Sequence, residues 1–254
     1  MKEFVHILSA ELLKLKRSIA LKLVILIPLL ITLLMLGTLL TKNPELYNEK
    51  TFYSMLQSVQ ASWLILVLPM FLAIETGIIS SNEQVTGQWK HIFCLPVRRE
   101  KILLAKWFVE ILILIIAQTI LNGLFYLSFP LLRKLLPGID FVFFMSTRDY
   151  LQLYGMVLLS SVGIASLHFV FALLLPGLIP SIAFGIAAVT FSMGVTWSGV
   201  GVNWYPWTLP IVALAKYLPM EFDASIPMAL TISPLCAVLC LAICIPYFVR
   251  KDVL

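Results

Sequence analysis

The sequence has few charged residues, and it lacks the common motifs for binding nucleotides or a catalytic metal. Charged residues make up only 12% of the chain, whereas soluble domains carry about a quarter. No GxxxxGK[ST] phosphate loop, HExxH or GxSxG occurs, and the three histidines form no metal-spaced cluster with Asp or Glu. We therefore predict a chain without catalytic residues, a cofactor or a metal site of its own. Any ATP hydrolysis would come from a separate polypeptide.

Apolar residues, in contrast, make up 61% of the 254 residues and form long runs without charge. These runs cover residues 23–41, 51–74, 111–132, 150–215 and 224–249. Because about 20 helical residues cross the hydrocarbon core, four runs supply one span each and the 66-residue run supplies two. Strands of a membrane β-barrel alternate apolar and polar residues, so a barrel is excluded. The predicted fold is an all-α membrane protein in one domain, 1–254, with spans at about 20–40, 60–79, 107–129, 150–174, 181–197 and 227–249.

The basic residues that give the net charge of +5 lie mostly on one side of the six predicted spans. Twelve Lys and Arg residues fall on the side of the N-terminus and six on the other. By the positive-inside rule, both termini are expected in the cytoplasm. This distribution accounts for the basic balance without a nucleic-acid partner.

Three segments outside the spans carry further structure. Residues 1–18 place apolar side chains at steps of three and four, which predicts an amphipathic interfacial helix. Loops are expected at 41–57 and 130–149, the second turning at Pro137–Gly138. Residues 199–223 contain an apolar stretch too short to cross, so they form either a re-entrant or an interfacial structure at the outer face.

Ionisable groups near the spans are the candidates for ion coupling, because such groups are costly in a bilayer. Glu75 lies near the inner end of span two, and structural pairing with the basic segment is the alternative to a functional role. Glu110 follows Lys106 by one helical turn, which indicates a solvated ion pair at a helix end. His168 is expected to be a packing or hydrogen-bonding residue. None of the three is placed at the midplane.

The cytoplasmic segment between spans two and three, residues 82–106, combines apolar anchors, basic residues and Pro96. An amphipathic helix of this kind fits a groove of a soluble partner. A membrane-surface helix that binds anionic lipid is the alternative.

The stretch ETGIISSNEQVTGQWKHIFCLPVRREKILLAK, residues 75–106, resembles the same region of ABC-2 type transporter permeases, especially the lantibiotic-immunity subunits. The opening ELLKLKRS and the Pro206–Trp207 cluster are similar to that branch as well. The resemblance implies a coupling helix that docks on the ATPase. Its residues would be Asn82, Glu83, Trp89, Lys90, Phe93, Leu95, Pro96, Arg98 and Arg99. Trp204, Tyr205 and Trp207 would then border the outer exit.

The same resemblance implies the assembly and its substrate. Two copies of a separate ATPase would bind Mg-ATP, and a second similar permease or another copy of this chain would complete the membrane part. The assembly would lie in the bacterial cytoplasmic membrane and export an amphipathic antimicrobial peptide, giving self-immunity. A related exporter of bacitracin or another drug is the nearest alternative. An ion-coupled carrier that uses Glu75 and Glu110, or a noncatalytic scaffold, are the alternatives from other classes.

Overall fold

The computed structural model describes residues 2–16, 18–41, 47–81, 87, 89, 96–175, 177–200, 202–219 and 222–250, and no strand occurs among them. The helices are α1 Lys2–Lys16, α2 Ile19–Thr41, α3 Glu49–Ser62, α4 Leu68–Thr76, α5 Arg99–Leu135, α6 Thr147–Leu174, α7 Leu178–Ser198, α8 Leu209–Val212 and α9 Ile226–Arg250. Two π-helical turns, Trp63–Val67 and Gly77–Ser81, follow α3 and α4. A 3₁₀ turn, Ala213–Lys216, follows α8.

Six helical stretches are long and apolar enough to cross a membrane, which confirms the predicted all-α fold with six spans. They are α2, the continuous stretch Glu49–Ile79 built from α3 and α4, and helices α5, α6, α7 and α9. Exposed Leu, Ile and Phe side chains cover the outward faces of α2, α7 and α9. Such faces suit lipid, because hydrocarbon solvates them as well as a protein interior does.

Two helices extend beyond the predicted spans, so the predicted loops at 41–57 and 130–149 were too long. Helix α3 begins at Glu49 because the Asn48 side chain accepts a hydrogen bond from the Thr51 backbone N–H at 3.0 Å. Helix α5 continues through Pro130 to Leu135. Proline is tolerated inside a membrane helix where neighbouring groups satisfy the freed backbone. The predicted turn at Pro137–Gly138 is present.

The start of α1 and the last turn of α9 lie at the same end of the helix bundle, which we call the termini end. Helix α1 packs against the first turns of α5, where Lys101 bonds Glu3. The Arg99 guanidinium donates to the Val249 carbonyl at 3.1 Å, which places the last turn of α9 beside the start of α5. At the opposite end, the far end, an aromatic cluster packs under the loop before α6. Its members include Tyr47, Phe52, Phe125, Phe129, Phe141 and Phe143.

Two glycines allow helices to approach closely. A Cβ built on Gly163 would lie 2.9 Å from the Ser233 carbonyl oxygen, where α6 crosses α9. A Cβ on Gly185 would lie 2.6 Å from the Ala73 Cβ, where α7 crosses α4. Both contacts require a residue without a side chain, as is common between membrane helices.

Residues 202–219 enter the bundle from the far end and return, which supports the re-entrant alternative. The Tyr217 hydroxyl donates to the Gln152 Oε1 at 2.7 Å, near the start of α6. The Trp207 indole N–H donates to the His168 Nε2 at 3.2 Å, near the end of the same helix. Gln152 and His168 are 16 positions apart, or about 24 Å along a helix. The segment therefore reaches deep between α6, α7 and α9.

Candidate functional site

Trp89, ten positions before α5, packs its side chain against the termini end of the bundle. Its ring is buried, and the Lys106 Nζ lies 5.8 Å from the ring centre, within cation–π range. The apolar side chains that complete this cluster are Leu103, Phe169, Leu173, Cys244 and Phe248. Trp89 thus contacts α5, α6 and α9 of its own chain. In this conformation its ring is not the surface that a partner would touch.

An ion-pair network ties α1 to α5 beside this cluster. The Lys106 Nζ binds the Glu11 Oε2 at 2.9 Å, and Lys14 binds the other Glu11 oxygen at 2.8 Å. Burial by itself raises the pKa of Glu11, but the two lysine partners outweigh burial and hold that pKa below the ordinary 4.5. Lys101 bonds Glu3 further toward the helix start, and this bond lowers the pKa of Glu3. The helix α1 is therefore attached to the first three turns of α5.

This network corrects one sequence-based prediction. Lys106 and Glu110 were expected to form a solvated pair, but both side chains are buried and Lys106 instead binds Glu11. The reason is that α1 covers this face of α5 and supplies a closer carboxylate. Spacing along one helix cannot reveal a partner that arrives from another helix.

Only part of the predicted coupling segment lies within the described residues. Pro96 and Arg98 are exposed at the termini end, immediately before α5, and Arg99 is half-buried against α9. Asn82, Glu83, Lys90, Phe93 and Leu95 lie outside the described residues. Beside these two residues, Arg99 bonds the last turn of α9 and Lys101 bonds Glu3 of α1. A force applied there would act on α1, α5 and α9 together.

Two acidic side chains, Glu75 on α4 and Glu110 on α5, are buried in the bundle interior. Glu75 is 0% exposed and Glu110 is 1% exposed. Among the described residues, none donates a hydrogen bond to any of their four carboxyl oxygens. The two helices that carry them, α4 and α5, are in contact. The predicted pairing of Glu75 with basic residues is therefore absent from the described part of the chain.

The predicted aromatic exit residues form a row of ring contacts that runs inward from the far end, with ring centres 6.3 Å apart for Trp204 and Tyr205 and 5.2 Å apart for Tyr205 and Trp207. Trp204 is 60% exposed at the far end, and Tyr205 is half-buried with its hydroxyl donating to the Ala188 carbonyl at 3.2 Å. Trp207 is buried against His168 and Phe184. The placement of Trp207 at an outer rim is therefore wrong, because the re-entrant segment carries it inward. His168 is a hydrogen-bond acceptor in a packed aromatic cluster, as predicted for a packing or hydrogen-bonding residue.

Sequence analysis missed a polar network between the second and third spans. The Trp63 indole N–H donates to the Gln118 Oε1 at 2.6 Å, and the Gln60 amide donates to the Asn122 Oδ1 at 2.8 Å. The Tyr150 hydroxyl donates to the same Asn122 oxygen at 3.1 Å. The spacing Gln118-x₃-Asn122 on one apolar helix is a signal that could have suggested the network, because uncharged polar residues in spans usually bond across helices.

A groove of about 590 Å³ lies between α2 and α3. One wall carries hydroxyl groups from Ser54, Ser58 and Ser62, with Lys50 at the far end. The other wall is apolar and includes Ile31, Leu34, Met35 and Leu39. This size falls within the range of small-molecule sites, and the two walls suit an amphipathic molecule that enters from lipid.

The six helices long and apolar enough to cross a membrane define a multi-pass membrane protein. Residues 7–153, more than half of the chain, match the model of the family described as ABC-2 family transporter protein. The chain belongs to this family and is a membrane-spanning part of an ABC transporter. A search of curated proteins found no match.

Proposed function

We propose that the chain is the permease subunit of an ATP-driven exporter that expels an antimicrobial peptide of the lantibiotic type and so protects the producing cell. Export of bacitracin or another amphipathic drug is the nearest alternative. The family supports the general role. The amphipathic groove between α2 and α3 supports a substrate that is taken from the membrane.

The energy would come from two copies of a separate ATPase that bind Mg-ATP. A second, similar permease is expected to pair with this chain, with another copy of this chain as the alternative. The assembly would lie in the bacterial cytoplasmic membrane with the termini end in the cytoplasm, where the excess of Lys and Arg favours it.

The observation that carries this proposal is that exposed residues and a buried tryptophan lie close together in the sequence at the termini end. Pro96 and Arg98 are exposed, while Trp89, seven positions before Pro96, is buried against Lys106 and Phe248. We infer that the ATPase docks on the exposed part of residues 82–99 and that Trp89 acts as a positioning residue. Its buried ring would transmit movement of the docked segment to α5 and α9.

The test is to look for a GxxxxGK[ST] ATPase encoded beside this chain, to co-purify the two, and to measure ATPase stimulation. Arg98→Ala removes one exposed positive charge from the proposed docking surface and adds no new charge. An exposed interface charge contributes up to about 1 kcal/mol, so we expect roughly fivefold weaker binding. Arg148→Ala is the matched control, because Arg148 is exposed at the far end. Equal binding by both variants would contradict the docking site.

An ion-coupled carrier predicts a different outcome in the same experiment. No ATPase would co-purify with the wild-type chain, and transport would continue in its absence. A scaffold predicts co-purification without any stimulation by substrate.

A further inference from the structure

The buried carboxyl groups of Glu75 and Glu110 have no role in the docking and export steps described above. They lie on different helices, Glu75 in α4 and Glu110 in α5. All four oxygens are inaccessible to solvent and accept no hydrogen bond from the described residues. Nearby polar groups are already bonded elsewhere, since the Thr76 hydroxyl donates to the Leu72 carbonyl at 2.7 Å.

Two carboxylates would be unstable in this position. Removing one ion from water costs several kcal/mol in real proteins, and adjacent like charges add to that cost. A positively charged species must therefore bind at the pair. A metal ion requires more ligands, and no group of three His, Cys, Asp or Glu side chains occurs among the described residues. A proton needs only the carboxyl oxygens themselves.

The titratable groups on the surrounding helices do not supply this charge. On α1 and α5, Glu11 and Lys106 bind each other. On α6, His168 accepts a hydrogen bond from Trp207. Lys22 on α2 is exposed, Cys244 on α9 packs in the Trp89 cluster, and α7 contains no ionisable side chain. Within the described part of the chain, protons are therefore the remaining means of neutralising the two carboxyl groups.

The packing around Glu75 offers a way to change its surroundings. The helix α4 carries Glu75 between two π-helical turns, Trp63–Val67 and Gly77–Ser81. Such turns are rare and occur frequently at functional sites. The close contact of Ala73 with Gly185 fixes α4 against α7. A shift of α4 relative to the continuous helix α5 would separate the two carboxyl groups and admit water.

We propose that Glu75 and Glu110 form a proton-binding site that is occupied in the packing described here and releases a proton when α4 moves away from α5. In the release step, the carboxylic O–H bond breaks, its electron pair stays on the carboxylate, and a water molecule takes the proton. Rebinding reverses these changes when the helices close. The site would couple the protonation state of the interior to the conformation of the permease.

The first test is infrared spectroscopy of the purified chain in lipid nanodiscs at neutral pH, which needs neither partner nor substrate. The wild type is expected to show the C=O stretch of a protonated carboxylic acid, and Glu75→Gln with Glu110→Gln is expected to lose it. Glu100→Gln is the control, because Glu100 is exposed at the start of α5. A spectrum without this band, or with a band unchanged by the double replacement, would overturn the proposal.

The second test uses the assembled transporter and therefore rests on the proposed function. Adding a non-hydrolysable ATP analogue is expected to weaken the same infrared band in the wild type. In the double Gln variant, the analogue should cause no such change. Gln mimics a permanently protonated carboxyl group, so the variant is also expected to fold normally and to lose at least tenfold in export. An unchanged band on nucleotide binding, or full export by the double variant, would mean that the protons are fixed and would overturn the release step.

Discussion

The buried contact between Glu11 and Lys106 predicts an unequal response to removing either partner. Glu11→Gln leaves the Lys106 charge in a site where its side chain is completely buried. Removing one partner of a buried pair costs about 3–5 kcal/mol where the other charge loses all compensation, and we expect the lower end of this range because the Trp89 ring stays 5.8 Å from the Lys106 Nζ. Lys106→Met leaves Glu11 with its second partner, Lys14, at 2.8 Å. Lys14 is half exposed, and the Met side chain, one heavy atom shorter than that of Lys, fills most of the Lys106 volume, so we expect a loss of about 1–2 kcal/mol.

Thermal unfolding of both variants and of the double variant in detergent would measure this difference. The double variant removes both charges and should be more stable than Glu11→Gln alone. The pH dependence gives an independent check. Because the pKa of Glu11 in the folded chain is below 4.5, its contribution is present above that value and disappears as the pH falls through the folded pKa. Equal losses for the two single variants, or additive losses in the double variant, would refute the buried ion pair.

Two further predictions follow from helix packing. Gly185→Ala should destabilise the chain by about 1–3 kcal/mol, because the added methyl group meets the Ala73 Cβ at 2.6 Å. Gly194→Ala on the same helix has open space within 4 Å and should be neutral or slightly stabilising in the same thermal assay. Trp207→Phe should cost about 1 kcal/mol or more, because it removes the N–H donor to the buried His168. An effect of Gly194→Ala equal to that of Gly185→Ala, or an unchanged melting temperature for Trp207→Phe, would contradict these contacts.

The spans were predictable because apolar length has a direct physical requirement in a bilayer. The helix ends were not, because they depend on local bonds such as the Asn48 side chain capping α3. The sequence also could not show that Trp207 lies against His168, since nothing in the spacing of residues 199–223 indicates how far a re-entrant segment reaches inward.

The candidate site was predictable in composition but not in pairing. The basic and apolar residues before α5 indicated a segment for a partner, whereas the burial of Trp89 against Phe248 depends on α9, which lies more than 130 positions later in the chain. Likewise, Glu75 and Glu110 were recognisable as ionisable residues in apolar runs. Only the structure shows that Lys106 pairs with Glu11 of α1 and that no described residue donates a hydrogen bond to Glu75 or Glu110.

Photo-cross-linking from position 98 in the assembled transporter tests the central claim most directly. With a photo-reactive amino acid in place of Arg98, we expect a covalent product with the ATPase subunit. The same amino acid in place of Arg148, at the far end, should give none. A product from position 148 but not from position 98, or no ATPase in the membrane assembly at all, would contradict a permease driven from its termini end.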